Sequence, residues 1–142
     1  MRLQLSTTSD IQSILQIIND AKVYLKSQKI DQWQNGYPNQ TQIERDIANN
    51  ESYVLINDAN QVIATSMFSI RPEPTYKVID GEWKIKESEK YGVIHRLAIE
   101  KNHRKKGIAS HVLNEFHQLL DRQQIRSLKI DTHEDNHEMQ YL

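Results

Sequence analysis

Apolar residues along this chain recur with two different periods, and each change of period marks an element. Leu3 and Leu5 alternate with polar neighbours, which predicts a short strand packed on one face. Thr7-Thr8-Ser9-Asp10 then offers N-cap candidates, and Ile11, Ile14, Leu15, Ile18, Ala21, Tyr24 and Leu25 follow at helical spacing. That predicts an amphipathic helix to about Lys26. Gln32-Trp33-Gln34-Asn35-Gly36-Tyr37-Pro38 has turn chemistry and no period, so it predicts a loop. A shorter helix is predicted over residues 41–48, with Ile43 and Ile47 on one face. Residues 53–56 and 62–70, joined by Asn57-Asp58-Ala59-Asn60, predict a hairpin. Arg71-Pro72-Glu73-Pro74 is expected to break it, with a polar excursion lasting to Tyr91. A β-branched strand over 93–99, a helix over 108–121, a strand over 128–131 and the start of a last helix complete the order.

Early strands joined as a hairpin and late strands joined across a helix predict an α/β fold. Its sheet is expected to be mostly antiparallel, with one parallel pair flanking helix 108–121. No repeat or linker interrupts the order, so residues 1–142 are read as a single domain. Composition narrows the function. A net charge of −1 argues against a dedicated nucleic-acid binder. The absence of cysteine excludes disulfides, thiolate metal sites and a cysteine nucleophile. The first residues do not form a signal peptide, and no apolar run approaches the roughly 18 residues of a membrane span. A soluble cytoplasmic protein with no membrane partner is the expectation.

The chemistry concentrates where the strand ending in Leu97-Ala98-Ile99 runs through a short turn into Arg104-Lys105-Lys106-Gly107-Ile108-Ala109 and a helix opens. The amides at a helix N-terminus lack intrahelical partners and carry the positive end of the backbone dipole. Gly107 and Ala109 are small enough to let an anion approach them, and Arg104 and Lys105 add positive charge that can grip phosphate oxygens. The pattern predicts a pyrophosphate site. The nearby cluster of Lys101, His103, Arg104, Lys105 and Lys106 lacks the interleaved aromatics of a nucleic-acid patch, which favours the phosphates of one small molecule.

Arg-x-x-Gly-x-Ala at 104–109 resembles the acetyl-CoA signature of the GCN5-related N-acetyltransferases, the GNAT superfamily. The surroundings resemble it too. Leu97-x-Ile99 precedes the Arg as the family's fourth strand does, and a helix and the strand Leu128-Lys129-Ile130-Asp131 follow. His133-x-x-Asn136-x-x-Met139 is similar to the family's Asn-bearing helix, and Trp33-x-x-x-Tyr37-Pro38 to a loop of one bacterial group. The resemblance implies the GNAT fold and acetyl-CoA as cosubstrate, wedged where the two parallel strands splay. It implies binding through the backbone of Leu97, Ala98 and Ile99, through Arg104, Lys105, Lys106, Gly107, Ile108 and Ala109, and through Asn136. A strand amide would also polarise the acetyl carbonyl. Relatives continue into a closing hairpin that this sequence lacks, so the expectation is a C-terminally truncated chain or a homodimer covering the strand edge.

The implied reaction is attack by an amine of an unidentified acceptor, a small molecule or a peptide. His95 is the candidate general base, on the reasoning that it lies two residues before Leu97 and shares its side of the strand. A histidine packed on the sheet is the competing reading. Arg96 would point the other way and pair with an acidic neighbour. In many relatives a Tyr seven residues after the helix Asn serves as acid. Tyr141 stands two residues too early, about 200° around a helix, and does not inherit that role. Trp33 and Tyr37 suit either the wall of an acceptor pocket or a packed loop edge. Two alternatives differ in class. One is a non-catalytic acyl-CoA-binding module. The other is a zinc hydrolase using His133-Glu134-x-x-His137, although a strand immediately before it disfavours one continuous helix bearing both histidines.

Overall fold

The computed structural model describes residues 1–29, 38–72, 75–79, 82–86 and 90–130. In chain order these form β1 (Arg2–Leu5), α1 (Ile11–Ser27), α2 (Gln40–Ala48), β2 (Ser52–Ile56), β3 (Val62–Pro72), β4 (Thr75–Ile79), β5 (Glu82–Lys86), β6 (Lys90–Ile99), α3 (Ile108–Arg122) and β7 (Ser127–Ile130). Local chemistry sets several of the boundaries. Asp10 accepts the Thr7 amide at 2.8 Å in the short 3-10 turn before α1. The Asn39 side chain caps α2 by accepting the Gln42 amide at 3.0 Å. Between β2 and β3, Asn57 Oδ1 accepts the amides of Ala59 and Gln61, and Asn60 takes the left-handed conformation that asparagine tolerates.

Five strands form one sheet in the order β1-β2-β3-β6-β7, antiparallel except for the parallel pair β6–β7, whose crossover is α3. The mixed sheet predicted from the sequence is present, with its parallel pair flanking α3. Both faces are covered. On one, α3 packs Val112, Leu113, Phe116 and Leu120 against Leu55, Phe68, Ile94 and Leu97. On the other, Ile14 and Ile18 of α1 and Ile43 of α2 meet Val54 and Ile56. Phe68 and Phe116 stack with centroids 4.3 Å apart, and Tyr53 meets both rings edge-on.

Two expectations about the strands between β2 and β6 need correction. Arg71-Pro72 does not break the hairpin strand, because Arg71 pairs with Tyr91 and Pro72 with Lys90 at the end of β3. A proline lacking an N–H is tolerated at such a strand end. The polar excursion before Tyr91 contains a second sheet, the antiparallel pair β4–β5, in which Val78 pairs with Trp83 and Tyr76 with Ile85.

The β3–β6 ladder is irregular at one place, and that place bears on function. Thr65 pairs with Ala98 and Met67 with His95, so Arg96 and Leu97 stand opposite the single residue Ser66. This is a β-bulge, with Arg96 at φ 56°. Alternation between faces therefore fails across it. Ile94 and Leu97 both pack on the α3 side. Alternation puts His95 on the face opposite its neighbour Ile94, so the premise that it shares the Leu97 side does not hold.

Candidate functional site

The site is built from β6, the turn after it and the first turn of α3. Leu97 and Ala98 are buried and Ile99 half-buried, which leaves their backbone as the part able to meet a ligand. A 3-10 turn over Lys101–His103 carries the chain off the sheet. Glu100 organises that turn, accepting the Asn102 amide at 3.0 Å and contacting His103 Nδ1 at 2.5 Å. His103 is thus engaged within the turn itself.

Arg104 is extended, Lys105 is left-handed at φ 61°, and Gly107 is left-handed at φ 76°. The two left-handed residues bend the chain sharply just before α3 opens. The α3 ladder opens with the His111 amide donating to the Gly107 carbonyl at 3.0 Å. Among the described residues, the amides of Gly107, Ile108, Ala109 and Ser110 have no backbone acceptor. A Cβ built on Gly107 would meet nothing within 4 Å. The space beside Gly107 at the start of α3 is therefore open, a hollow of the kind an anion requires, and glycine suits both the conformation and the access.

The predicted residues fall into two groups here. Lys105, Lys106 and Gly107 are exposed and Ala109 half-buried, while the Ile108 side chain enters the α3 core and contributes only its backbone. Arg104 is half-buried. Its guanidinium lies over the Tyr24 ring of α1, and its Nη2, shielded from solvent, has no hydrogen-bond partner among the described residues. A donor buried without an acceptor is costly and suits an incoming phosphate oxygen. The donor set fits a pyrophosphate.

The acceptor side is less complete. His95 is half-buried on β6 one residue before the bulge, and Arg96 reaches across to Asp46 of α2. The expected acidic partner of Arg96 is therefore Asp46, a residue the sequence pattern did not single out. A polar cleft of about 340 Å³ opens between α1 and the start of α2, beside Gln12, Gln16, Asn19, Lys22, Pro38 and Asn39. Lys22 donates to the Pro38 carbonyl at 2.7 Å across it. No carboxylate lines the cleft among the described residues, so it offers little to a cationic amine. Trp33, Tyr37, Asn136 and the His133-Glu134-x-x-His137 string lie outside the described residues. Among those described, no group of three or more His, Asp or Glu is placed to hold a metal ion. No helix among them is long and apolar enough to cross a membrane.

No curated protein matches the chain. A GNAT-family acetyltransferase from Streptococcus agalactiae is similar at 26% identity and TM-score 0.78, over 99% of this chain and 80% of its own. The fold is shared with a predicted acetyltransferase from Clostridium acetobutylicum crystallised with acetyl-CoA, at 18% identity and TM-score 0.62 over 94% of this chain and 81% of that one. It is shared also with an aminoglycoside antibiotic 6'-N-acetyltransferase from Acinetobacter haemolyticus, at 16% identity and TM-score 0.62 over 99% and 86%. The model of the acetyltransferase (GNAT) family matches residues 12–142, which takes in every element from α1 onward, and the chain belongs to that family.

Proposed function

We propose that this protein transfers an acetyl group from acetyl-CoA to a primary amine by direct attack. The observation that carries the reading is the hollow at Gly107. Among the described residues, the first α3 amides have no backbone acceptor, left-handed Gly107 has open space beside it, and Arg104, three residues earlier, has a nitrogen without an acceptor. The cofactor pyrophosphate would sit there, with the pantetheine arm along Leu97, Ala98 and Ile99 and a contact from Asn136. In the reaction the neutral amine nitrogen bonds to the acetyl carbon and the carbon–sulfur bond breaks. CoA leaves as the thiolate, and the amine gives up its proton. A backbone amide beside the bulge would polarise the acetyl carbonyl as negative charge develops on its oxygen. His95 is proposed as the base that takes the amine proton, directly or through water. Trp33 and Tyr37 are proposed for the acceptor side, where the amine is held.

Titration calorimetry with acetyl-CoA tests the site. The parent chain is expected to bind. Gly107→Glu, which puts a carboxylate into the hollow at a helix start rather than in the core, is expected to fold and not to bind. Equal affinity would refute the site. Thiol release, screened across small amines, an aminoglycoside and lysine-bearing peptides, then tests the reaction. Binding without release from any amine would identify a non-catalytic acyl-CoA-binding module.

A further inference from the structure

The bulge in β6 is held by a group that none of the motifs includes. Arg96 adopts φ 56°, a left-handed conformation that is unfavourable for a non-glycine residue. Its Nε and Nη2 both donate to Asp46 Oδ2, at 3.1 and 2.5 Å. The other carboxylate oxygen, Oδ1, accepts from Gln42 Nε2 at 3.1 Å. Asp46 is 4% exposed and Arg96 9%. Asp46 stands on α2, which Ile43 anchors in the core between α1 and the sheet. The position of α2 thus sets where the guanidinium must go, and the guanidinium sets how the chain turns at residue 96.

We propose that Asp46, acting through Arg96, is a positioning residue for acetyl transfer. The pair holds the bulge so that the backbone amides following it are aimed at the thioester carbonyl. The inference rests on the acetyl-CoA reading above. Two physical arguments support it. A buried ion pair gains little net stability over apolar side chains of similar volume, so stability alone is a weak reason to build one here. The pair instead enforces a direction through two converging N–H bonds, at a residue whose own backbone preference opposes the conformation. A bulge also takes one residue out of the ladder, which frees backbone groups to meet a ligand. Leu97 and Ala98 are the next residues along.

The test is the infrared carbonyl stretch of acetyl-CoA labelled with carbon-13 at the thioester carbonyl, read in the bound state for the parent, Asp46→Ala and Arg96→Lys. The lysine variant keeps the buried charge pair and loses only the fork, so it serves if Asp46→Ala does not fold. The parent is expected to shift the stretch to lower frequency. Either folded variant is expected to bind acetyl-CoA with affinity close to the parent's, because the hollow at Gly107 is untouched, and to lose most of that shift. With an acceptor amine found by thiol release, kcat should fall by roughly 10²-fold while KM for acetyl-CoA changes little. A folded variant that keeps both the shift and kcat would overturn the proposal, as would a parent that binds acetyl-CoA with no shift. A parent that does not bind at all would overturn the acetyl-CoA reading together with this one.

Discussion

The guanidinium carbon of Arg104 lies 4.7 Å from the centroid of the Tyr24 ring, which joins the end of α1 to the turn before α3. The ring presents its negative face to the cation and holds it on the α1 side of the turn that leads to Gly107. Arg104→Ala should weaken acetyl-CoA binding by about 10- to 100-fold, as for a charged hydrogen-bond donor worth about 1.5–3 kcal/mol. Tyr24→Leu keeps an apolar cover but not the ring face, and should weaken it by less. Calorimetry at low and high salt checks both, since the arginine contribution should shrink as salt rises. Unchanged affinity in Arg104→Ala would remove that residue from the site.

His95 sits on the α1–α2 face of β6, the side on which Asp46 lies. If it accepts the amine proton, His95→Ala lowers turnover most near neutral pH and least at high pH, where the amine is already neutral. A pH–rate profile of parent and variant, taken with the same acceptor, decides the matter. Parallel profiles would assign His95 to packing.

Gly92 is tightly packed against the α3 core. A Cβ there would lie 2.9 Å from Leu120 Cδ1 and 3.1 Å from Phe68 Cε2, and both neighbours are buried in the α3 core. Gly92→Ala should destabilise the fold by about 1–3 kcal/mol through overpacking. Urea unfolding measures this. A change within experimental error would mean that α3 can move away from the sheet.

Tyr53 is pushed above its ordinary value near 10 by burial, which penalises the phenolate. The folded state holds that proton more tightly than the unfolded chain. Its contribution to stability is therefore complete below the unfolded value and is lost as pH rises above it. Tyr53→Phe should lose less stability than the parent between pH 9 and pH 11. Denaturation midpoints across that range provide the check, and identical slopes would show that Tyr53 does not titrate differently in the two states.

Periodicity alone carried most of the architecture. The helical spacing of Ile11 to Leu25 and of Ile108 to Leu120 reflects burial along one side of a helix, a short-range property that any reader of the chain can see. The turn at Gly107 was legible for the same reason. Gly107, its left-handed backbone and the helix it opens are neighbours in sequence, so residue type and spacing report the geometry directly. The β4–β5 pair was missed, because the lysines and glutamates between Tyr76, Val78, Trp83 and Ile85 made the stretch read as a polar excursion.

The bulge was decided by tertiary structure. Strict alternation put His95 with Leu97, and one unpaired residue in the ladder separated them. Nothing local marks Arg96 for a left-handed backbone. Its conformation goes with a carboxylate fifty positions earlier in the chain, on a helix whose sequence shows Asp46 only as one more polar residue. Tyr24 is similar: its spacing announces a helix face, and only the packing of α1 brings its ring beneath Arg104. Residue type and spacing determine which segments become helix, strand or turn, because those depend on near neighbours. Pairings between distant elements arise only when the sheet and helices close on one another, since no period in the chain encodes which buried charge will meet which.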